Sequence, residues 1–195
     1  MKILVTGGDG LVGSALRRLT KDYSEHEFVF TTRATHDLTK ENDVLELFEE
    51  TNPDYVIHTA ARVGGIGRNL NSPAEQFYNN ILMNTFVIHY AHIHDVKKLI
   101  AFSSVCAFPA DEPIFKEKNL QNGLPYPAHG AYAYSKRMVD IQIEAYNKQY
   151  DLNYCSVIPA NIFGEGDNYN LEDGHVVPSL IHKCYVAKQN NTALE

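Results

Sequence analysis

Two hydrophobic patterns alternate along the chain. Short runs dominated by β-branched, apolar and aromatic residues recur at Ile3–Thr6, Phe28–Thr32, Tyr55–His58, Lys98–Ser103 and Asn153–Ile158. Runs of this length and composition read as strands. Between them lie segments with helical spacing. Leu11–Leu19 places Leu11, Ala15, Leu16 and Leu19 on one face, and Glu41–Glu50 turns Val44, Leu45, Leu47 and Phe48 inward. Longer helical patterns cover Pro73–His94, Ala131–Tyr150 and Val177–Lys188. Ser72 and Pro73 suit the N-cap and first position of the first of these. A polar, proline-rich stretch from Pro109 to His129 reads as loop. Alternation of this kind predicts βαβ units and a parallel sheet of five or six strands, with right-handed crossovers and helices on both faces. With no internal repeat or linker, residues 1–195 read as one domain.

Composition narrows the function classes. Hydrophobic residues make up 44% and charged residues 21% of the 195, ordinary for a globular chain. No apolar run approaches the roughly 18 residues of a membrane span. The first strand starts almost at Met1, which leaves no room for a cleavable leader. With 24 acidic and 17 basic residues the formal charge is −7. Such a surface offers no long-range attraction to nucleic acid or an anionic membrane, so an anionic ligand needs local donors. Cys106, Cys155 and Cys184 are odd in number and widely spaced, which points to a reducing cytoplasm rather than a disulfide framework. Cys155 and Cys184 read as packing residues. His58, His89, His92 and His94 have no acidic partner in the pattern and read as structural or solvated.

The first strand runs into Thr6-Gly7-Gly8-Asp9-Gly10-Leu11-Val12-Gly13. Gly7 permits the turn out of the strand, Gly10 allows close approach of a pyrophosphate, and Gly13 lets the helix pack against the sheet. The opening N–H groups of the helix, at Leu11, Val12 and Gly13, then face the anion. Such a turn between a first strand and a first helix defines a Rossmann-type doubly wound parallel sheet, α/β in class. At the end of the second strand stands Thr31-Thr32-Arg33 rather than an acidic residue. Arg33 favours a 2′-phosphate and hence NADP(H); a solvated arginine is the bland alternative, and Asp9 is an awkward neighbour for a phosphate. Asp37 and Leu38 suit an adenine amino group and ring, or alternatively a turn.

Tyr132 and Lys136, four apart, share one helix face. A nearby ammonium is expected to lower the tyrosine pKa toward neutrality, fitting it to exchange a proton with a sugar oxygen. Ser104 ends the fourth strand at the carboxyl edge, where its hydroxyl can polarise the same oxygen. Tyr134 points off this face. Taken by itself, Cys106 is better explained as a small buried apolar residue, the commonest role of a free cysteine.

These residues resemble the extended short-chain dehydrogenase/reductase family. Ala60-Ala61-Arg62-Val63-Gly64-Gly65, Ser104-Val105-Cys106-Ala107-Phe108-Pro109, Pro159-Ala160-Asn161-Ile162-Phe163-Gly164, Asp167-Asn168 and Asp173-Gly174-His175-Val176-Val177-Pro178 narrow the resemblance to its branch acting on a GDP-linked 4-keto-6-deoxy-mannose. The resemblance implies 3,5-epimerisation followed by NADPH-dependent reduction of the 4-keto group. It implies that Cys106 and His175 are the epimerisation pair, and that Ser104, Tyr132 and Lys136 serve the reduction. Ala60, Ala61, Pro159, Asn161 and Ile162 would border the cofactor, and Asn80 would order its helix near the lysine. Ser104, Asn161, His175 and Lys183 would meet the nucleotide-sugar, although Lys183 suits a solvated role equally. A homodimer through the long helices is also implied. Members of the family carry a C-terminal substrate domain that is largely absent here. Rival readings are another nucleotide-sugar 4-epimerase or dehydratase, and a truncated, non-catalytic NADP-binding module. Val105-Cys106 stands where dehydratases carry an Asp-Glu pair.

Overall fold

The computed structural model describes residues 1–171 and 174–193. The strands are β1 (Lys2–Thr6), β2 (Glu27–Thr31), β3 (Tyr55–His58), β4 (Lys98–Phe102) and β5 (Cys155–Val157). The helices are α1 (Leu11–Leu19), α2 (Glu41–Thr51), α3 (Ile66–Asn71), α4 (Pro73–Ile93), α5 (Gly130–Tyr150) and α6 (Val176–Asn190). Every expected element is present. The helix α3 is an addition, with Gly65 in extended conformation at its N-cap. Asp173 of the last motif lies outside the described residues.

All five strands are parallel, in the order β2-β1-β3-β4-β5. The chain steps from β1 to the β2 edge, then returns across β1 to β3 and continues outward. With right-handed crossovers this reversal sends α1 to one face and α2, α4 and α5 to the other. The contacts of α4 with α2 and with α5 agree. A ligand crevice is expected where the direction reverses, between the carboxyl ends of β1 and β3.

The core lies on one side of the sheet. Leu4, Val56, Leu99 and Ala101 pack under Val44, Leu47 and Phe48 of α2, Val87, Ile88 and Ala91 of α4, and Val139 and Ile143 of α5. Along β3 and β4 burial alternates, with Ile57, Ile100 and Phe102 only partly covered. Two-sided burial is therefore incomplete. The reversal gives the far face α1, whose one buried residue is Gly13. Leu19, expected to face inward, is 52% exposed. Ser72 occupies the α4 N-cap but makes no side-chain capping bond.

A chain of buried polar groups crosses this core. The Thr6 hydroxyl meets His58 Nδ1 at 2.7 Å, His58 Nε2 meets Asn84 Oδ1 at 3.0 Å, and Asn84 Nδ2 donates to the Ser135 carbonyl at 3.3 Å. The last bond fixes the amide so that Oδ1 accepts from Nε2; Nδ1 then accepts from Thr6, and the imidazole is neutral. Burial, together with the Lys136 charge, pushes His58 down to about 3, against the opposing bond from Asn84.

This histidine sets an acid limit on the fold. The unfolded chain takes up its proton near 6.5, whereas the native state refuses it until about 3. Stability is complete above that upper value and is lost as pH falls through the window, by up to roughly 1.4 kcal/mol per pH unit. Denaturant unfolding from pH 7.5 to 4 should show this slope, and His58→Asn should flatten it.

Candidate active site

The glycine turn sits in the crevice. Gly7 has φ +73°, a left-handed conformation that suits glycine, and a Cβ there would come 2.8 Å from Ala60 Cα. A Cβ on Gly13 would collide with the Gly7 carbonyl. Gly10 N–H donates to the Gly7 carbonyl at 3.0 Å and closes the turn. As N-cap of α1, Gly10 has no side chain to cap the first-turn N–H groups of Leu11, Val12 and Gly13. These observations fit a pyrophosphate: a cradle that a single Cβ would fill, at the positive end of a helix.

Beside the turn lies a cavity of ≈ 560 Å³ whose walls include Gly7, Gly10, Arg33, Asp37, Leu38, Ala60 and Ala61. It joins the ends of β1, β2 and β3. Arg33 is 73% exposed, and its nearest acid is Asp37 Oδ2 at 4.0 Å. The hydroxyl and backbone N–H of Thr39 both donate to Asp37 Oδ1. Burial pushes the Asp37 carboxyl up, but these bonds and the Arg33 and Lys40 charges bring it below its usual range. Leu38 is buried and belongs to the core while bordering the cavity. Asp9 also borders it. The Arg17 guanidinium, unmarked in the sequence pattern, lies 4.2 Å over the Phe30 ring and near the space beside Gly8. In sequence it reads only as a helix-surface charge.

The second half of the site is built on α5. Lys136 is 2% exposed, and its Nζ donates to the Phe102 carbonyl at 2.7 Å. Ser104 Oγ accepts from Cys106 N–H at 3.2 Å, and the Ser104 side chain acts on the Tyr132 phenol to lower its pKa. Ser104, Cys106, Tyr132 and Lys136 thus form one cluster on the carboxyl edge of the sheet. Their titration differs from the sequence expectation. Desolvation pushes Tyr132 up to about 12, the Cys106 charge adds to this, and the Ser104 side chain opposes it. Burial lowers Lys136 to about 8. The ammonium is directed at a backbone carbonyl, so the phenol remains protonated at neutral pH.

His175 is the N-cap of α6 and meets Asp167 Oδ1 at 3.3 Å. Asp167 is buried at 5% exposure and its Oδ2 lacks a partner, so it can orient the imidazole, a role not singled out from sequence. Pro159, Asn161 and Ile162 follow β5, with Asn161 and Ile162 exposed. Lys183 lies on α6. Asn80 does not reach the lysine: its side chain bonds the Arg62 N–H and carbonyl, each at 2.9 Å, and holds the loop beside the cavity. Asn84, one turn on, makes the bond to α5. Cys184 is exposed rather than packed, and Cys155 is partly buried. His89 bonds the Tyr146 hydroxyl and His92 stacks on Tyr150. Among the described residues no cluster of His, Cys, Asp or Glu is arranged to hold a metal, and no helix is long and apolar enough to cross a membrane.

A family model for the NAD dependent epimerase/dehydratase family matches residues 3–194. A GDP-L-fucose synthase of Dictyostelium discoideum is 42% identical over 98% of this chain and 61% of its own length. The GDP-L-fucose synthase of Escherichia coli (strain K12) is 35% identical over 97% of this chain and 60% of its own length. The crystal structure of a GDP-L-fucose synthetase from Naegleria fowleri bound to NADP superposes with a TM-score of 0.92 at 39% identity, over 100% of this chain and 64% of that one. The chain therefore spans about three fifths of the relatives it matches.

The glycine turn makes a sharp prediction. Gly13→Ala forces the Gly7 carbonyl aside and should destabilise the fold by about 3 kcal/mol. Gly67→Ala, where a Cβ meets nothing within 4 Å, should be neutral or stabilising by about 0.5 kcal/mol. Thermal unfolding of both variants checks the contrast.

Proposed function

The chain belongs to the NAD dependent epimerase/dehydratase family, and from that premise we propose that it is the cofactor-binding and catalytic portion of a GDP-L-fucose synthase. The reaction is conversion of GDP-4-keto-6-deoxy-D-mannose to GDP-L-fucose by 3,5-epimerisation and 4-keto reduction. The observation that carries this reading is the Ser104 hydroxyl, which accepts from the Cys106 N–H and acts on the Tyr132 phenol across the same strand end. One hydroxyl thereby serves both steps. A 4-epimerase or dehydratase has no need of a thiol at this point.

The glycine turn and the N-terminus of α1 hold the pyrophosphate of NADP(H), with Arg33 on the 2′-phosphate and Asp37, Leu38, Ala60 and Ala61 around the adenosine. Pro159, Asn161 and Ile162 border its other end. When bound, NADPH supplies the hydride for the reduction. Everything else falls to side chains. The 4-keto group acidifies the C3 and C5 hydrogens. Cys106 and His175 act as base and acid on opposite faces, one removing each proton and the other returning one. Ser104 and Tyr132 hydrogen-bond the C4 oxygen and stabilise the enolate. Tyr132, protonated at neutral pH, then donates its proton to that oxygen as reduction proceeds, and Lys136 assists. Asp167 orients His175, and Lys183 contacts the GDP end of the substrate.

Residues 1–195 carry the Rossmann part of this machinery, and the remaining substrate-binding surface belongs to the further length seen in the relatives. We also propose a homodimer through α4 and α5, whose Phe77, Tyr78, Tyr134 and Ile141 are exposed. A reducing cytoplasm keeps Cys106 a thiol, consistent with three free cysteines.

NADPH should bind the chain and quench or shift its nicotinamide fluorescence. Arg33→Ala should weaken NADPH about tenfold or more while leaving NADH within about twofold, because a charge-assisted bond to a phosphate is lost. With GDP-4-keto-6-deoxy-D-mannose, NADPH oxidation tests the reading directly. Cys106→Ser should suppress deuterium uptake at C3 and C5 about 100-fold or more, and Tyr132→Phe should suppress NADPH oxidation comparably. NADPH binding without turnover, in a chain of the relatives' full length, would favour the non-catalytic module instead.

A further inference from the structure

The stretch from Phe102 to Ala107 is fastened to α5 at three residues. Lys136 Nζ bonds the Phe102 carbonyl, and Ser103 Oγ bonds the Lys136 carbonyl. The third tie has no part in the chemistry above: Arg137 Nε donates to the Ala107 carbonyl at 2.6 Å.

Arg137 is an unusual residue for this purpose. It is only 4% exposed, and its nearest acceptors are carbonyls rather than a carboxylate: Ala107 through Nε, and Gly123 through Nη1 at 2.7 Å. Its Nη2 is buried without a partner. Burying a guanidinium without a counter-charge is costly. What it provides is a rigid planar fork that spans two separate pieces of backbone. One prong holds the end of the Cys106 turn, and the other holds the long loop that returns to α5.

The turn itself cannot fix the thiol. It is a single 3-10 turn, Val105–Ala107, closed by Ala107 N–H to the Ser104 carbonyl and Phe108 N–H to the Val105 carbonyl. So short an element has little rigidity of its own. Its last carbonyl, at Ala107, is instead gripped from two turns along α5. We propose that Arg137 is a positioning residue that holds Cys106 in register with Tyr132 on one helix, so that proton transfer at carbon and proton transfer to the C4 oxygen address the same bound sugar. The role assigned to Cys106 rests on the proposed function; the clamp on its backbone does not.

The test compares thiols within one chain. Wild type, Arg137→Met, Arg137→Gln and Arg137→Lys are treated with iodoacetamide, and alkylation of Cys106, Cys155 and Cys184 is followed by peptide mass spectrometry. Arg137→Met and Arg137→Gln should raise Cys106 alkylation relative to Cys184 by about tenfold, the loss of one charged hydrogen bond. Arg137→Lys should restore part of the difference. NADPH affinity should stay within about twofold of wild type. The proposal is overturned by an unchanged Cys106-to-Cys184 ratio in Arg137→Met and Arg137→Gln, or by Cys155 rising in step, which would mean general loosening. Should Arg137→Met fail to fold, Arg137→Gln and Arg137→Lys decide the matter alone. Failure of the wild type to bind NADPH would count against the proposed function while leaving the thiol comparison intact.

Discussion

A buried lysine holds this site together. Lys136 sits in the interior without a carboxylate, and its Nζ is satisfied by the carbonyl at the end of β4. An amino group cannot be left unpaired at that depth. The bond therefore fixes α5 along its axis and about it relative to β4. Because Tyr132 lies one turn earlier on α5 and Ser104 two residues past Phe102, the same constraint brings phenol and hydroxyl together. The desolvation that lowers the lysine also raises the phenol, so both shifts come chiefly from burial rather than from mutual charge.

The two halves of the site are coupled through the polar chain of Thr6, His58, Asn84 and Ser135. Thr6 is the last residue before the glycine turn, and Ser135 precedes Lys136 on α5. β1 and α5 are thus tied by hydrogen bonds as well as by apolar packing. A neutral histidine suits this place because it both accepts and donates in fixed directions. The arrangement leaves no buried partner free, and it explains why an acid-sensitive residue is kept at the centre of the sheet.

Local charge outweighs the net charge. The chain carries −7, yet the crevice beside the glycine turn is edged by Arg33 and is close to Arg17 and to the positive end of α1. These are short-range donors, which suits a ligand bound by contact rather than steered from afar. The lopsided core is a further consequence of topology. Reversal at β1 places α2, α4 and α5 on one face and α1 on the other, so Ile57, Ile100 and Phe102 on the α1 side of β3 and β4 are only partly covered.

Much of this was legible in the residues. The alternation of strands and helices, the glycine turn, the pairing of Tyr132 with Lys136 on one helix face and the placement of Ser104 at a strand end follow from periodicity and from the few conformations glycine alone can take. Those are local properties, and local chemistry writes them. The sequence did not show that Asn84 rather than Asn80 reaches α5, that Asp167 meets His175, that Arg137 bonds the end of the Cys106 turn, or that Tyr132 stays protonated. Each depends on which distant segments are brought within hydrogen-bond distance, and on how much water their packing removes. Spacing along the chain determines which residues share a face; only the packed fold determines what that face meets.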